Sequence, residues 1–338
     1  MLSHYIKIAW RNLWKNKVFS FINIAGLSAG IAFTMLIGAY VWNELQVNKH
    51  LKNSANQYLL TSVWKDPNIG NPITTLGPLA KQLKEHYPSL VANYYRWDGI
   101  TSVVSKGDKH FRENIQLGDS TILSMYGFAL MHGNARVALT EPYTVVVTPA
   151  IAIKYFGKTD VVGEKIAIQS FSWGNHDFSI TGVLQEMPEN SVTKLNVANN
   201  NTFFIPTNTY AYFGRNDFES WSNIYLPSYI ELRPGITAKE IAGPIRKLIE
   251  MNAPDFIKNS LAIQPVSLAD YYLNNRNGLV KKMLYTLSLI GMFILLMAIV
   301  NFINITISSS GNRTKEIGVR KVLGGRRAQL IAQFLAES

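Results

Sequence analysis

The sequence predicts a membrane protein in which two transmembrane α-helices flank an α+β extracytoplasmic domain. Two stretches of 25 residues each, Val18–Trp42 and Met283–Ile307, contain no charged residue. Basic residues are concentrated at both ends of the chain, and strand-like and helix-like segments mix between the two stretches. The 338-residue chain contains no cysteine, which excludes a disulfide-stapled domain and Cys-ligated metal sites.

Each uncharged stretch is long enough to cross a bilayer. A helix rises about 1.5 Å per residue, so each stretch extends about 37 Å, against a hydrocarbon core of about 30 Å. A cleaved signal peptide is the alternative for the first stretch, but its apolar region is shorter, about 7–15 residues, and a small-residue cleavage site follows it. Glu44-Leu45-Gln46 follows here instead. We therefore interpret residues 18–42 and 283–307 as transmembrane helices.

The distribution of charge predicts the orientation. Residues 1–17 and 308–338 together hold 10 basic and 2 acidic residues, whereas residues 43–282 hold 23 basic and 20 acidic residues. Basic loops stay on the cytoplasmic side, so both ends are expected there and the domain at 43–282 outside. The net charge of +11 is thus mainly a signal of membrane orientation, and nucleic-acid binding is not needed to explain it.

Residues 1–17 predict an amphipathic cytoplasmic helix that lies in the membrane plane. Its apolar positions recur at three- and four-residue spacing: Leu2, Ile6, Ala9, Trp10, Leu13 and Trp14. Another face carries Lys7, Arg11 and Lys15. The helix is interpreted either as a simple basic anchor or as an elbow that packs against the transmembrane helices.

Small and polar residues inside the two stretches are candidate helix-packing positions. Gly26 and Gly30 lie four residues apart and would let two helix backbones approach closely. Asn301 and Asn304 lie three apart on one face, and an amide in hydrocarbon usually faces a partner helix or water. Hydrogen bonding between helices is favoured over an ion path.

Residues 43–282 read as an α+β domain. The strand-like segments are Tyr58–Trp64, Val91–Trp97, Ile100–Ser105, Phe111–Leu117, Val145–Thr148, Ile166–Gln169, Phe178–Leu184, Tyr229–Leu232 and Leu261–Val266. The helical segments are Leu79–Tyr87, Pro149–Phe156 and Ala238–Met251. Ile166–Gln169 and Phe178–Leu184 suggest a hairpin, and Asp119 or Ser120 is expected to cap a short helix that starts at Thr121.

The chain shows no pattern typical of catalysis. None of its six histidines pairs with another as in HExxH, and Gly157-Lys158-Thr159 lacks the upstream glycine of a phosphate-binding loop. We expect no metal, no cofactor and no enzymatic activity.

The segment after the second stretch carries the most specific pattern. Arg313, Glu316, Gly318, Lys321 and Gly324 fit R-x-x-E-x-G-x-x-(K/R)-x-x-G. This block resembles the FtsX-like permease family of ABC transporters, which includes MacB-type permeases. The segments Ile8–Ala32, Thr140–Ile166 and Phe178–Ser191 resemble that family in the same order, and the loop at 43–282 resembles the MacB-like periplasmic core domain.

The resemblance implies that the chain is a permease subunit in the bacterial inner membrane, with a periplasmic domain. Residues 308–338 would hold a cytoplasmic coupling helix that docks on the ATPase, followed by the lead-in to a third span, so we expect a truncated chain. The coupling residues are Arg313, Lys315, Glu316, Ile317, Gly318, Arg320, Lys321, Leu323 and Gly324.

The implied function is transmission of ATP-driven movement to the periplasmic domain, for export or extraction of a peptide, drug or lipoprotein. Implied partners are an ABC ATPase subunit, a second permease half or homodimer partner, the lipid bilayer and, as a further candidate, a periplasmic adaptor. The alternative is a two-span membrane sensor with an extracytoplasmic sensing domain, which has the same topology. A sensor would continue beyond residue 338 with a helical linker and a kinase or signalling domain, whereas a permease would continue with two more apolar spans.

Overall fold

The computed structural model describes residues 17–171, 173–194, 200–215, 217–311 and 322. The predicted amphipathic helix therefore lies almost entirely outside the described residues. The described chain divides into two compact units. Of the described residues, 17–45 and 279–311 form a helical unit, and Gln46–Gly278 form the second unit, which we call the α+β domain.

The helices are α1 (Lys17–Leu45), α2 (Leu79–His86), α3 (Ile122–Tyr126), α4 (Pro149–Phe156), α5 (Ala238–Asn252), α6 (Asp255–Ser260) and α7 (Leu268–Gly311). The strands are β1 (Gln57–Trp64), β2 (Val91–Lys106), β3 (Lys109–Gly118), β4 (Leu130–Gly133), β5 (Thr144–Val147), β6 (Lys165–Ser170), β7 (Gly174–Leu184), β8 (Phe203–Pro206), β9 (Ser228–Leu232) and β10 (Leu261–Ser267).

Helices α1 and α7 both contain a candidate membrane span. The spans are Ser20–Leu45 and Gly278–Asn304, and each is long and apolar enough to cross a membrane. Most of their large apolar side chains are exposed in this unit, as expected of side chains that face lipid. The fold is thus a pair of apolar helices flanking an α+β domain, as predicted.

One ten-stranded mixed sheet forms the α+β domain. Its strand order is β10-β1-β9-β2-β3-β8-β5-β7-β4, and β6 pairs with both β2 and β7. Strand β2 belongs to both halves, since its first residues pair with β9 and its last ten pair with β3. The sequence predicted two strands there, but Asp98 and Gly99 continue the ladder opposite Leu117 and Gln116. Glycine at 99 also leaves room for the Trp97 ring, 3.2 Å from where a Cβ would lie.

Three apolar clusters fill the α+β domain. One packs α2 and α5 on the β1, β9 and β10 side, around Leu79, Ile230 and Ile245. Another packs α4 against β5, β7 and β8. The third includes the buried aromatic residues Tyr95 and Trp97, and its strand residues alternate with those of the other two clusters, so it lies on the opposite face of the sheet. Their burial is the main stabilising contribution to the fold.

Local signals place several elements as predicted. Pro149 opens α4 and Gly157 ends it with a φ of 74°, a left-handed value that glycine adopts without strain. Thr237 and Glu240 form a capping box at the start of α5. The hairpin of β6 and β7 is present, with Ser170 opposite Gly174.

The prediction that Asp119 or Ser120 caps α3 is wrong. Thr121 is the N-cap residue, and no side chain makes a capping hydrogen bond there. Asp119 instead binds the buried Arg96: Arg96 Nε donates to Oδ2 over 2.9 Å and Nη2 donates to Oδ1 over 3.0 Å. Asp119 pairs with Arg96 and does not cap α3, because a buried guanidinium without a carboxylate partner would lower the free energy of unfolding more than a missing helix cap does.

The Arg96 guanidinium also joins two loops to the sheet. It donates to the Gly77 carbonyl over 2.9 Å and to Glu219 Oε1 over 3.1 Å. Burial lowers the pKa of Arg96, but Asp119 and Glu219 outweigh burial, so the net pKa is raised. The Arg96 cluster therefore stabilises the fold by holding these two loops against the sheet.

Candidate functional site

The predicted coupling residues lie outside the described residues. These are Arg313, Lys315, Glu316, Ile317, Gly318, Arg320, Lys321, Leu323 and Gly324. Their role in docking an ATPase stays a prediction.

Three of the four candidate helix-packing residues lie at the contact between α1 and α7. A Cβ at Gly30 would lie 2.5 Å from the Ala298 Cβ, and one at Gly26 would lie 3.2 Å from the Asn301 Nδ2. The absence of side chains at both glycines is what permits this approach. Asn304 has an exposed side chain.

A threonine hydrogen bond reinforces the same contact. Thr34 Oγ1 donates to the carbonyl of Gly30 in its own helix over 2.8 Å and lies 3.2 Å from the Gly291 carbonyl of α7. The Thr34 hydroxyl thus has one acceptor within α1 and a second in α7. It links the two helices and is not itself left unpaired.

Within the α+β domain, Asn48 joins the two segments by which the chain enters and leaves. Asn48 lies three residues after α1 ends, and its side chain is 1% exposed. Its Nδ2 donates to Ser191 Oγ over 2.8 Å and to the Leu268 carbonyl over 3.1 Å. Its Oδ1 accepts from the Ser191 backbone N–H over 2.7 Å. We call Asn48, Ser191 and Leu268 the Asn48 clasp.

The backbone at Asn48 explains the choice of residue. Its φ is 67°, in the left-handed region, which asparagine tolerates better than most other side chains. Leu268 is the first residue of α7 and is fully buried, and Tyr271 one turn later packs in the same apolar cluster as Tyr95 and Trp97. The clasp therefore fixes the start of α7 to the segment that follows α1.

Sequence reasoning did not find the clasp. The one local signal is the position of Asn48 just after an apolar helix, where asparagine commonly adopts a left-handed backbone conformation. The partners Ser191 and Leu268 are 143 and 220 residues away in the chain, so no local pattern connects them.

The described residues hold no group of three His, Asp or Glu side chains that could bind a metal ion. The contacts described above position backbones and helices.

A comparison with protein families decides the assignment. The family model for the MacB-like periplasmic core domain matches residues 20–248, more than half of the chain. The chain belongs to the MacB-like periplasmic core domain family. The match begins within α1 and ends within α5, so it covers the first candidate span and most of the α+β domain.

Relatives of this MacB-like chain are ABC transporter permeases. The Pseudomonas savastanoi pyoverdine export ATP-binding/permease protein PvdT is 23% identical over 98% of the chain, and 48% of PvdT is covered. The Bdellovibrio bacteriovorus macrolide export ATP-binding/permease protein MacB is 28% identical over 57% of the chain and 28% of that protein. The chain thus spans less than half the length of these curated relatives.

A solved structure shares the fold of the MacB-like domain. It is a domain of a protein from Porphyromonas gingivalis predicted to be a permease, with a TM-score of 0.50 and 18% identity. The alignment covers 64% of this chain and 92% of that domain. The family match and the curated relatives place the chain in the MacB-like ABC transporter permease family, and the solved structure shows that its domain fold is shared.

Proposed function

We propose that this chain is the permease part of an ABC transporter in the bacterial inner membrane. It transmits ATP-driven movement of a separate ATPase subunit to a periplasmic domain, and this movement exports or extracts a substrate of the peptide, drug or lipoprotein class. Both ends of the chain are cytoplasmic in this proposal. The chain itself catalyses no reaction.

The observation that carries the proposal is the family match across α1 and the α+β domain, with a second apolar helix following in the same chain. Export ATP-binding/permease proteins align with 98% of the chain, so the similarity extends through both apolar helices. A subunit that transmits movement to a domain needs a helix that begins inside that domain. Helix α7 meets this requirement, because it begins at Leu268 within the α+β domain.

The Asn48 clasp supports a transmitting role. Leu268 and Tyr271 anchor the first turn of α7 in the apolar core, and Asn48 ties that turn to the segment after α1. A displacement of either segment is therefore shared by the other through buried hydrogen bonds, which resist separation more strongly than exposed ones. Such a rigid connection suits a switch between two discrete states.

Topology is tested first, by labelling single cysteines. Residues 1–338 contain no cysteine, so Trp173→Cys and Arg320→Cys each introduce a single thiol into this part of the protein. Trp173 has 71% of its side chain exposed and should react with an impermeant maleimide from outside intact spheroplasts. Arg320→Cys should react only after permeabilisation. Labelling of both from the same side would contradict the proposal.

Coupling is tested with Gly318→Asp and Leu323→Asp in the intact permease. Both variants should insert normally, retain ATP hydrolysis by the partner subunit and lose export. Lys17→Gln, a charge change at the start of α1, is the control and should retain export. Full export in both aspartate variants, or copurification of a histidine kinase without an ATPase, would refute the proposed role.

A further inference from the structure

A half-open cavity lies next to the Asn48 clasp, inside the α+β domain. Its volume is about 140 Å³, and three chain segments line it, at 48–51, 126–129 and 185–190. Its floor is apolar, formed by the buried side chains of Leu51, Tyr126 and Phe128 together with the half-buried Met187. An apolar cavity of about 150 Å³ is known to hold one benzene ring, so this one has room for a single ring or a branched aliphatic group.

Backbone hydrogen bonds hold the three segments in place. The Lys52 N–H donates to the Tyr126 carbonyl over 3.0 Å, and the Gln185 N–H donates to the Ala129 carbonyl over 2.8 Å. The Asn48 N–H donates to the Glu189 carbonyl over 3.3 Å. The walls therefore exist before any ligand arrives, which reduces the entropic cost of binding.

The rim of the cavity is acidic. Among the described residues that line it, Glu186 and Glu189 carry carboxylates, His50 carries an imidazole, and none is lysine or arginine. Glu189 is paired with Lys194, with 2.7 Å between Oε1 and Nζ. The neighbouring Lys52 directs its ammonium to the Ser124 carbonyl, 3.4 Å away. Glu186 is exposed and has no ion pair within the described part of the chain.

We infer that this cavity binds a small amphipathic cation, with an apolar ring or branched aliphatic group on the floor and an ammonium at Glu186. The apolar side chains of the floor favour the burial of apolar area, while the Glu186 carboxylate selects the sign of charge. A matching anion would meet two carboxylates and no lysine or arginine among the lining residues. This binding site stands independently of the proposed transport function.

The test compares three ligands that share one phenyl ring: 2-phenylethylammonium, 2-phenylethanol and 3-phenylpropionate. Each is titrated into the full chain in zwitterionic nanodiscs with ¹³C-methyl methionine, against empty nanodiscs. The Met187 methyl, on the cavity floor, should shift saturably, while the Met251 methyl, which is 67% exposed and outside the cavity, should not. The ammonium should bind about three- to fivefold more tightly than the alcohol, and the carboxylate most weakly.

The charge preference is then tested with Glu186→Gln. This variant keeps the size of the side chain, so it should fold normally and lose the preference for the ammonium. Glu85→Gln, at an exposed carboxylate on α2, should leave the preference intact. Equal affinities for the ammonium and the carboxylate in the wild type, a stationary Met187 methyl at saturation, or an undiminished preference in Glu186→Gln would each overturn the inference.

Discussion

Replacement of Asn48 by glycine isolates the contribution of the clasp, because glycine accepts the left-handed backbone at this position. Asn48→Gly leaves the buried Ser191 N–H and Ser191 Oγ without their partners, whereas the Leu268 carbonyl keeps the hydrogen bond that it accepts within α7. An orphaned buried polar group costs about 1–3 kcal/mol, so the two together should lower the free energy of unfolding of the α+β domain by about 2–4 kcal/mol.

Hydrogen–deuterium exchange on the full chain is the assay. In Asn48→Gly the peptides that contain Ser191 and the start of α7 should lose at least about tenfold in protection, since about 1.4 kcal/mol corresponds to a factor of ten. Asn53→Gly is the matched control. Asn53 also has a left-handed backbone, with φ 51°, but its exposed side chain makes one hydrogen bond, to Glu231.

The control separates backbone entropy from the clasp. Both variants add the same chain flexibility, so loss of protection at Ser191 should occur in Asn48→Gly and not in Asn53→Gly. Equal protection of the α7 start in the two variants would show that the Asn48 hydrogen bonds do not hold this helix, and the argument for a clasp would fail.

Three further outcomes follow from packing and charge. Gly30→Leu should weaken the contact between α1 and α7, seen as lost disulfide crosslinking of engineered cysteines across it, whereas Gly38→Leu should not, because a Cβ at Gly38 meets nothing within 4 Å. Arg96→Met should destabilise the α+β domain by about 3–5 kcal/mol in thermal unfolding by leaving Asp119 buried and unpaired, and adding Asp119→Leu should restore much of the loss. Burial raises the pKa of Tyr95 well above 10, although the hydrogen bond that Gln116 donates to its hydroxyl opposes this shift. The stabilisation from the protonated hydroxyl is therefore present below about pH 10 and is lost as the pH rises through the folded-state pKa. Tyr95→Phe should lose less stability at alkaline pH than the wild type, and an equal loss would contradict the assignment.

Features that depend on neighbouring residues were predictable from the sequence. The two apolar helices follow from uninterrupted runs of uncharged residues, and α4 follows from the proline and glycine at its ends. The family and the α+β class were also predicted correctly, because ordered segments along the chain carry them. These signals are local or sequential, and tertiary structure does not alter them.

Features that depend on distant residues were not predictable. Asp119 reads as a helix cap in isolation, and only the approach of Arg96 from the neighbouring strand assigns it to an ion pair. Strand β2 reads as two strands because Asp98 and Gly99 are poor strand formers, yet pairing with β3 carries the ladder through them. The cavity combines three separate segments, none of which has a distinctive composition.

The order of pairing in the sheet constrains when this domain can fold. Strand β1 lies between β9 and β10, so a strand near the beginning of the domain waits for two strands near its end. Pairing of strands so far apart in sequence makes folding slow, because the chain loses the entropy of closing a long loop before any stabilising contact forms. Until Ser267 has been synthesised, Leu59 and Leu60 of β1 lack their final neighbours. The sheet can therefore be completed only when the chain has been made up to the residues that immediately precede the second apolar helix.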